Sequence, residues 1–178
     1  MARLIWLTGP SGSGKDSLLN ALREDPPEGM VIAHRYITRA VDAGGENHIA
    51  LSEREFARRR EMGLFALCWQ AHGYSYGLGL EMELWLGRGL NVLVNGSRLH
   101  LPQVRERYGK QLLPLCLQVS PEVLAARLRR RGRESEAEIE QRMKRAAQPL
   151  PAQCEMLNND GALSETLQQL RRLLETTP

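Results

Sequence analysis

The sequence is poor in cysteine and contains no apolar run long enough to cross a membrane. Its three cysteines, Cys68, Cys116 and Cys154, are widely spaced and odd in number. They therefore predict neither a disulfide framework nor a zinc site, and each is expected to pack in the core. The apolar run near the start, residues 3–8, is too short for a signal peptide or a membrane helix. These absences favour a cytoplasmic protein.

Lysine is scarce as well, because Lys15, Lys110 and Lys144 are the only lysines among 24 basic residues. The net charge is +3, and a mild positive balance of this kind can indicate nucleic-acid binding. The arginines are dispersed, however, and aromatic residues do not alternate with them. Small phosphorylated ligands are the favoured partners, since a guanidinium group binds phosphate oxygens in pairs.

Short apolar runs alternate with amphipathic segments along the chain. The runs predict strands at residues 3–8, 30–38, 90–98 and 111–120, with helical patterns between them. Residues 64–79 mix apolar and aromatic residues with glycines, which predicts a small sheet or hairpin. This order predicts an α/β fold with a parallel sheet flanked by helices. The length of 178 residues is that of a single domain.

The segment GPSGSGK, residues 9–15, matches the pattern G-x-x-x-x-G-K between a predicted strand and a predicted helix. Glycines allow the backbone to curl so that amide hydrogens point inward, and the start of the helix adds positive potential. A glycine-rich turn without a ligand is the alternative, and the flanking elements argue against it. The motif predicts an ATP-binding loop with Lys15 as a catalytic residue. The loop residues expected to contact ATP are Gly9, Pro10, Ser11, Gly12, Ser13, Gly14, Lys15, Asp16 and Ser17.

Asp16 occupies the position where a hydroxyl residue usually contacts Mg²⁺. A carboxylate beside a triphosphate is repelled unless a cation lies between the two groups or the carboxylate points outward. Ser17 still offers a hydroxyl one residue later. We expect Mg²⁺ to be held largely by ATP oxygens and water, with Asp16 or Ser17 close to it. The alternative is that Asp16 only stabilises the start of the helix.

Other classes of phosphate-loop protein lack support in the sequence. The guanine-reading N-K-x-D of GTP switches is absent, and so is their D-x-x-G. The acidic strand end of motor ATPases is replaced by Asn95. A small kinase that acts on a phosphorylated metabolite remains. No Ser/His/Asp group is needed, because a phosphate oxygen is already ionised at neutral pH.

Nearly the whole chain resembles the guanylate kinase family, through the segments GPSGSGK, YITR, ALSEREF, GYSYG, RGRESEAEIEQR and NND. The resemblance implies a P-loop NTPase fold with a core at residues 1–34 and 88–178, an acceptor-binding subdomain at about 35–87, and a lid at about 129–142. It also implies roles by position. Arg39 and Tyr76 would hold the acceptor phosphate, Arg131 and Arg142 would be catalytic residues at the transferring phosphoryl group, and Asn159 would lie by the adenine of ATP.

Four positions depart from the family pattern, and at one of them the segment NGSR, residues 95–98, replaces an acidic residue after the middle strand. Asp42 stands where the family has a second phosphate-binding arginine, Leu67 where it has a guanine-reading glutamate, and Leu78 where it has a hydroxyl residue. Without these partners a guanine edge would lose hydrogen bonds that contribute about 1–3 kcal/mol each. The resemblance therefore implies a sugar-phosphate branch of the family. In it, ATP phosphorylates the 1-phosphate of a ribose that carries phosphates at positions 1 and 5, giving 5-phosphoribosyl 1-diphosphate.

A phosphorylated ribose calls for cations and hydroxyls near strand ends. We expect Arg39 and Arg98 to bind phosphate, and Arg35 to contribute unless strand alternation turns it away in favour of His34. The residues predicted to bind the substrate are Arg35, Tyr36, Arg39, Tyr76 and Arg98.

Two alternatives stay open, a nucleoside monophosphate kinase with altered base choice and a kinase-like module that binds a protein partner. The intact phosphate loop argues against the second. The sequence does not predict the oligomeric state.

Overall fold

The computed structural model describes residues 1–176, which form two β-sheets and seven α-helices. The strands are β1 (Leu4–Thr8), β2 (Met30–Ile32), β3 (Tyr36–Ile37), β4 (Ile49–Ala50), β5 (Phe65–Ala71), β6 (Tyr74–Gly79), β7 (Asn91–Asn95), β8 (Leu112–Gln118) and β9 (Glu155–Asn158). The helices are α1 (Lys15–Glu24), α2 (Glu53–Glu61), α3 (Glu81–Gly87), α4 (Leu101–Tyr108), α5 (Pro121–Arg131), α6 (Glu136–Ala146) and α7 (Leu163–Thr176). None of these helices is long and apolar enough to span a bilayer.

The larger sheet has five parallel strands in the order β2-β7-β1-β8-β9. Alternate residues of β1 face opposite sides, as strand geometry requires. Leu4 and Trp6 pack into a core that includes residues of α3 and α4, whereas Ile5 and Leu7 pack against α1 and α7. Every residue of β1 is therefore buried. The predicted parallel sheet with helices on both faces is confirmed.

The smaller sheet has four strands in the order β4-β3-β6-β5, with β3 and β4 parallel and the pairs β3–β6 and β5–β6 antiparallel. The hairpin predicted at residues 64–79 corresponds to β5 and β6. The single strand predicted at residues 30–38 is wrong, because the chain leaves the large sheet after Ala33 and joins the small sheet at Tyr36. Apolar residues on each side of the break, Val31 and Ile32 before it and Ile37 after it, make the two short strands resemble one run.

A disulfide joins Cys116 to Cys154, which corrects the expectation that no disulfide forms. Cys116 is fully buried in β8, and Cys154 immediately precedes β9, whose Glu155 pairs with Leu115 of β8. Strand adjacency brings together two cysteines that are 38 residues apart in sequence. Such a pairing cannot be deduced from cysteine spacing alone.

Candidate active site

The phosphate loop connects β1 to α1 and adopts a tight curl. Gly12 and Gly14 have φ angles of 84° and 87°, a region that side chains other than glycine rarely adopt. Ser13 N donates to Pro10 O at 3.1 Å, and α1 begins at Lys15. The loop therefore presents its backbone amides and the amino end of a helix of 10 residues to one side of the molecule.

Asn159 supports this loop from beneath. It is 5% exposed, its Nδ2 donates to Ser13 O at 2.6 Å, and its Oδ1 accepts from the Thr166 hydroxyl. A Cβ at Gly14 would lie 2.5 Å from the same Nδ2, so glycine is required there for packing as well as for its φ angle. Both polar atoms of the Asn159 side chain are engaged within the protein, and its contact with adenine stays a prediction.

Arg127 completes the support of the loop, although it is not among the predicted site residues. Its Nη2 donates to Asn159 O at 2.7 Å, and its Nη1 donates to Ser13 O at 3.4 Å. The helical spacing was a signal, because Arg127 lies four residues before Arg131 and so on the same face of α5.

Lys15 has a lowered pKa of about 8, because burial and, next in size, the positive charge of Arg35 disfavour its ammonium form. Asp16 and Glu46 oppose this effect, whereas Arg98 adds to it. An ammonium group destabilised in this way gains strongly from a nearby polyanion. Lys15 is thus suited to binding the terminal phosphates of a nucleotide.

A cleft of about 540 Å³ lies between the phosphate loop, the segment around Glu46 and the end of α5. Six basic residues line it and only two carboxylates do, so the cleft is strongly positive. A site with this charge favours ligands that carry several phosphate groups. The basic residues are Lys15, Arg35, Arg39, Arg127, Arg131 and Arg133, and the carboxylates are Asp16 and Glu46.

Most of the predicted site residues meet in this cleft. Arg39 reaches it from the segment after β3, where its Nη2 donates to Ala43 O and Gly44 O at 3.1 and 2.8 Å. The predicted residues that line the cleft are Gly9, Pro10, Ser11, Gly12, Gly14, Lys15, Asp16, Ser17, Arg35, Arg39 and Arg131.

Other predicted substrate residues do not line the cleft. Tyr36 points toward α3, where its hydroxyl donates to Glu81 Oε1 at 2.9 Å. Tyr76 is buried beneath Arg35, whose guanidinium carbon lies 4.8 Å from the ring centroid. Arg98 begins a 3₁₀ turn beyond β7 and acts on the site through its charge near Lys15. The geometry therefore gives Tyr36 a structural contact, while Tyr76 positions Arg35.

Neither Glu46 nor Asn95 is among the five residues predicted to bind the substrate, yet both line the cleft. Arg35 and Glu46 form an ion pair, and Asn95 Nδ2 donates to Glu46 Oε1 at 2.9 Å. Asn95 ends β7, beside the strand that carries the phosphate loop, so its place at a strand end was a usable signal. Nothing in the local sequence marks Glu46.

The predicted lid, about residues 129–142, corresponds to the end of α5, the turn after it and the first part of α6. Gly132 ends α5 with a φ of 66°, and Ser135 begins α6 with a capping box to Glu138. Between them, Glu134 Oε1 contacts both Arg131 and Arg142. The two predicted catalytic arginines therefore share one carboxylate, although only Arg131 lines the cleft.

Leu67 and Leu78, which stand at the purine-reading positions of the guanylate kinase pattern, are buried and paired across β5 and β6. They offer no hydrogen-bonding side chain to a base. These two positions belong to the apolar core, so they give a guanine edge no hydrogen-bond partner.

Comparison with known proteins places the chain among kinases. The family model described as AAA domain matches residues 5–146. Ribose 1,5-bisphosphate phosphokinase PhnN of Pantoea vagans (strain C9-1) is 70% identical over 175 residues, which cover 98% of this chain and 98% of that protein. The protein of the same name from Dickeya zeae (strain Ech586) is 64% identical over 176 residues, which cover 98% of this chain and 94% of that protein.

Among solved structures, guanylate kinase from Anaplasma phagocytophilum matches with a TM-score of 0.69. The match covers 98% of this chain and 85% of that chain at 21% identity. It establishes the guanylate-kinase-like fold and no more than the fold.

Proposed function

We propose that this chain, which belongs to the AAA-domain family of P-loop proteins and within it to the ribose 1,5-bisphosphate phosphokinases, transfers the γ-phosphoryl group of ATP to the 1-phosphate of ribose 1,5-bisphosphate. The products are 5-phosphoribosyl 1-diphosphate and ADP. The observation that carries the proposal is a cleft lined by the phosphate loop and by arginines, combined with apolar Leu67 and Leu78 at the purine-reading positions of the guanylate kinase pattern. An ATP-dependent reaction fits the cytoplasmic location expected from the sequence.

The reaction is a direct transfer between two phosphate oxygens. An ionised oxygen of the acceptor 1-phosphate attacks the γ-phosphorus of ATP, while the bond from that phosphorus to the β–γ bridging oxygen breaks. The electron pair of that bond remains on ADP, and no proton has to move. The protein therefore needs to align two polyanions and to offset their repulsion, rather than to supply a base.

The positions of the cationic groups divide the binding of the two substrates among them. Lys15 and the loop amides bind the donor phosphates. Arg131 reaches the transferring group from the lid, with Arg142 beside it. Arg39 binds the acceptor phosphates from the opposite side, and Arg98, which does not line the cleft, adds positive charge near Lys15. Positive charge fixed in these places stabilises the charge that develops during transfer.

The first turn of α1 fits a magnesium ion carried by ATP. Asp16 and Ser17 are exposed there and line the cleft beside Lys15, and their oxygens are the kind of ligand that Mg²⁺ prefers. We propose that these two residues lie around the ion while ATP and water supply most of its ligands. When bound, the ion neutralises charge on the β- and γ-phosphates.

An acceptor panel tests the proposed function. The protein is incubated with ATP, Mg²⁺ and one of ribose 1,5-bisphosphate, ribose 5-phosphate, GMP or AMP, and ADP and the phosphorylated product are quantified. We expect kcat/KM for ribose 1,5-bisphosphate to exceed that for GMP by about 100-fold or more, since the site lacks partners for the base. Faster turnover of GMP would overturn the proposal in favour of a nucleotide kinase. Failure to bind ATP would favour a protein-binding module.

A further inference from the structure

Glu46 is a carboxylate in a cleft that the proposed reaction fills with two polyanions. Its side chain is 8% exposed and lines the cleft with Lys15 and Arg35. A carboxylate in such a place repels phosphate groups unless its charge is paired and its oxygens bind something else. The presence of Glu46 therefore requires an explanation other than phosphate binding.

Three N–H donors hold this carboxylate in one orientation. Arg35 Nε donates to Oε2 at 2.7 Å, Arg35 Nη2 donates to Oε1, and Asn95 Nδ2 donates to Oε1 at 2.9 Å. The backbone is fixed as well, because the His48 ring contacts the main-chain oxygens of Glu46 at 3.1 Å and of Arg39 at 2.9 Å. Glu46 is thus a preorganised part of the cleft wall.

The ion pair changes what Arg35 offers to a ligand. Two of its nitrogens bind Glu46, and its guanidinium lies over the Tyr76 ring. Its positive charge is balanced by the adjacent carboxylate. The pair as a whole is neutral and presents acceptor oxygens to the cleft. Arg35 is therefore less suited to phosphate than Arg39, whose Nη2 donates to carbonyl oxygens.

Acceptor capacity remains on Glu46 and on Asn95. An ionised carboxylate accepts about four hydrogen bonds, and the protein supplies three of them to Glu46. Burial alone would raise the pKa of Glu46, but the hydrogen bond and charge of Arg35, together with the charge of Lys15, lower it. Asn95 is 3% exposed, and its Oδ1 has no hydrogen-bond partner within residues 1–176. Asn95 Oδ1 therefore lacks a donor, and Glu46 can accept one more hydrogen bond. An alcohol hydroxyl supplies one, whereas a fully ionised phosphate does not.

We propose that Glu46 and Asn95 form the subsite that binds the secondary hydroxyls of the sugar acceptor. This inference rests on the proposed function, because a ribose phosphorylated at positions 1 and 5 presents hydroxyls on carbons 2 and 3, between its phosphates. Glu46 accepts a hydrogen bond from one hydroxyl and Asn95 Oδ1 accepts from the other. The subsite therefore favours an acceptor that carries free hydroxyls between its two phosphate groups.

Deoxy acceptors test this subsite. Wild-type protein, Glu46→Gln and the control Asp42→Asn are assayed with ribose 1,5-bisphosphate and with its 2-deoxy and 3-deoxy analogues. Asp42 is exposed on the same segment, so its substitution removes the same charge outside the subsite. We expect the wild type and Asp42→Asn to lose about 10- to 100-fold in kcat/KM on at least one analogue, as loss of a hydrogen bond to a charged group implies. In Glu46→Gln we expect the ratio of kcat/KM for ribose 1,5-bisphosphate to kcat/KM for the same analogue to fall to about 3-fold or less.

Each outcome of this comparison bears on the subsite. If the wild type uses both deoxy acceptors as well as the natural one, the hydroxyls are not read and the inference is overturned without any variant. If Glu46→Gln keeps the wild-type discrimination, the hydroxyls are read elsewhere, and the inference fails while the proposed function stands. Ratios within one variant are insensitive to a general loss of rate. If Glu46→Gln is too slow to assay, the affinities for the acceptors, measured by calorimetry, give the same comparison.

Discussion

Lys15 is the single residue on which donor binding depends most directly. Its ammonium group lies at the start of α1 within the positive cleft. We expect Lys15→Ala to lower kcat by about 100-fold or more, because it removes a preorganised charge from the transferring phosphates. Steady-state kinetics with saturating ATP measures this, and Lys110→Ala, at an exposed lysine, is the matched control. A near-normal kcat in Lys15→Ala would remove Lys15 from the catalytic group.

The lowered pKa of Lys15 also predicts a pH dependence of stability in the ligand-free protein. The folded-state pKa is about 8 and the ordinary value is 10.5, so between these values the unfolded chain binds the proton and the folded chain does not. The free energy of unfolding rises with pH wherever the unfolded state binds more protons. We therefore expect the wild type to gain stability relative to Lys15→Met from about pH 8 to about pH 10.5. Denaturant unfolding of both proteins across this range checks it, and a constant difference would contradict it.

Arg39 is a predicted ligand of the acceptor phosphate, and it lines the cleft. We expect Arg39→Ala to raise KM for the acceptor by about 10-fold or more, with a smaller change in KM for ATP, since a charge-assisted contact to one substrate is lost. Initial-rate kinetics with each substrate varied in turn separates the two constants. Arg54→Ala, at an exposed position of α2, is expected to change neither. A larger rise in KM for ATP would place the acceptor elsewhere.

At the scale of single residues, the sequence predicts sites formed by consecutive residues but not sites formed by residues that are distant in sequence. The phosphate loop was predicted because its seven residues carry their own geometry, with positive φ at Gly12 and Gly14. Glu46 was not predicted as a site residue because its place in the cleft depends on contacts with Arg35 and Asn95, which are 11 and 49 residues away in sequence. No local sequence pattern predicts these contacts. The hydrogen bond from the Asn159 side chain to Ser13 O joins residues 146 positions apart and was likewise not predicted, while its contact with adenine stays a prediction.

Among the structural elements, the turn between α5 and α6 carries a prediction about catalysis. Glu134 is 6% exposed, and its Oε1 contacts both Arg131 and Arg142. We expect Glu134→Ala to lower kcat by about 10- to 100-fold with little change in either KM, because small displacements of charged groups slow transfer strongly. The split between kcat and KM distinguishes positioning of the arginines from a contact with substrate.

Glu136→Ala provides the control for that experiment, because Glu136 is in the same segment and pairs with exposed Arg129. It should leave kcat within about 2-fold, since exposed ion pairs contribute little. A double-mutant cycle of Glu134→Ala with Arg142→Ala should be strongly non-additive if the carboxylate acts through the arginines. Equal losses in Glu134→Ala and Glu136→Ala would mean that the turn tolerates neither change and that Glu134 has no special role.

The elements show where sequence patterns stop being informative. The strands of the large sheet are predicted well because burial on both faces demands continuous apolar runs. The boundary between the two sheets is not predicted, because the sequence of β2 and β3 resembles a single strand. In the structure, Ala33, His34 and Arg35 connect the two strands, which belong to different sheets. The pairing of Cys116 with Cys154 likewise depends on β8 lying beside β9, which no pattern within either strand specifies.

At the scale of the whole molecule, one core joins the two sheets. Trp6 of the large sheet lies 5.8 Å from Trp69 of the small sheet, and Trp69 stacks on Tyr76 at 5.7 Å with their planes 3° apart. Both tryptophans belong to a buried cluster that includes residues of α3, α4 and both sheets. Since Arg35 lies over Tyr76, the same aromatic column supports the wall of the cleft. Folding of the core and placement of Arg35 are therefore coupled.

This shared core predicts that residues 1–178 unfold as one cooperative unit, the single domain expected from the length. We expect Trp69→Ala to destabilise the protein by about 3–5 kcal/mol, the usual range for truncating a buried tryptophan, while unfolding remains a single transition. Trp85→Ala, at a half-buried position on α3, should destabilise less. Urea unfolding followed by far-UV circular dichroism and by tryptophan fluorescence should give coincident curves, as a two-state transition requires. Two separated transitions in the wild type would show that the small sheet folds independently. Folding of the core and placement of Arg35 would then not be coupled.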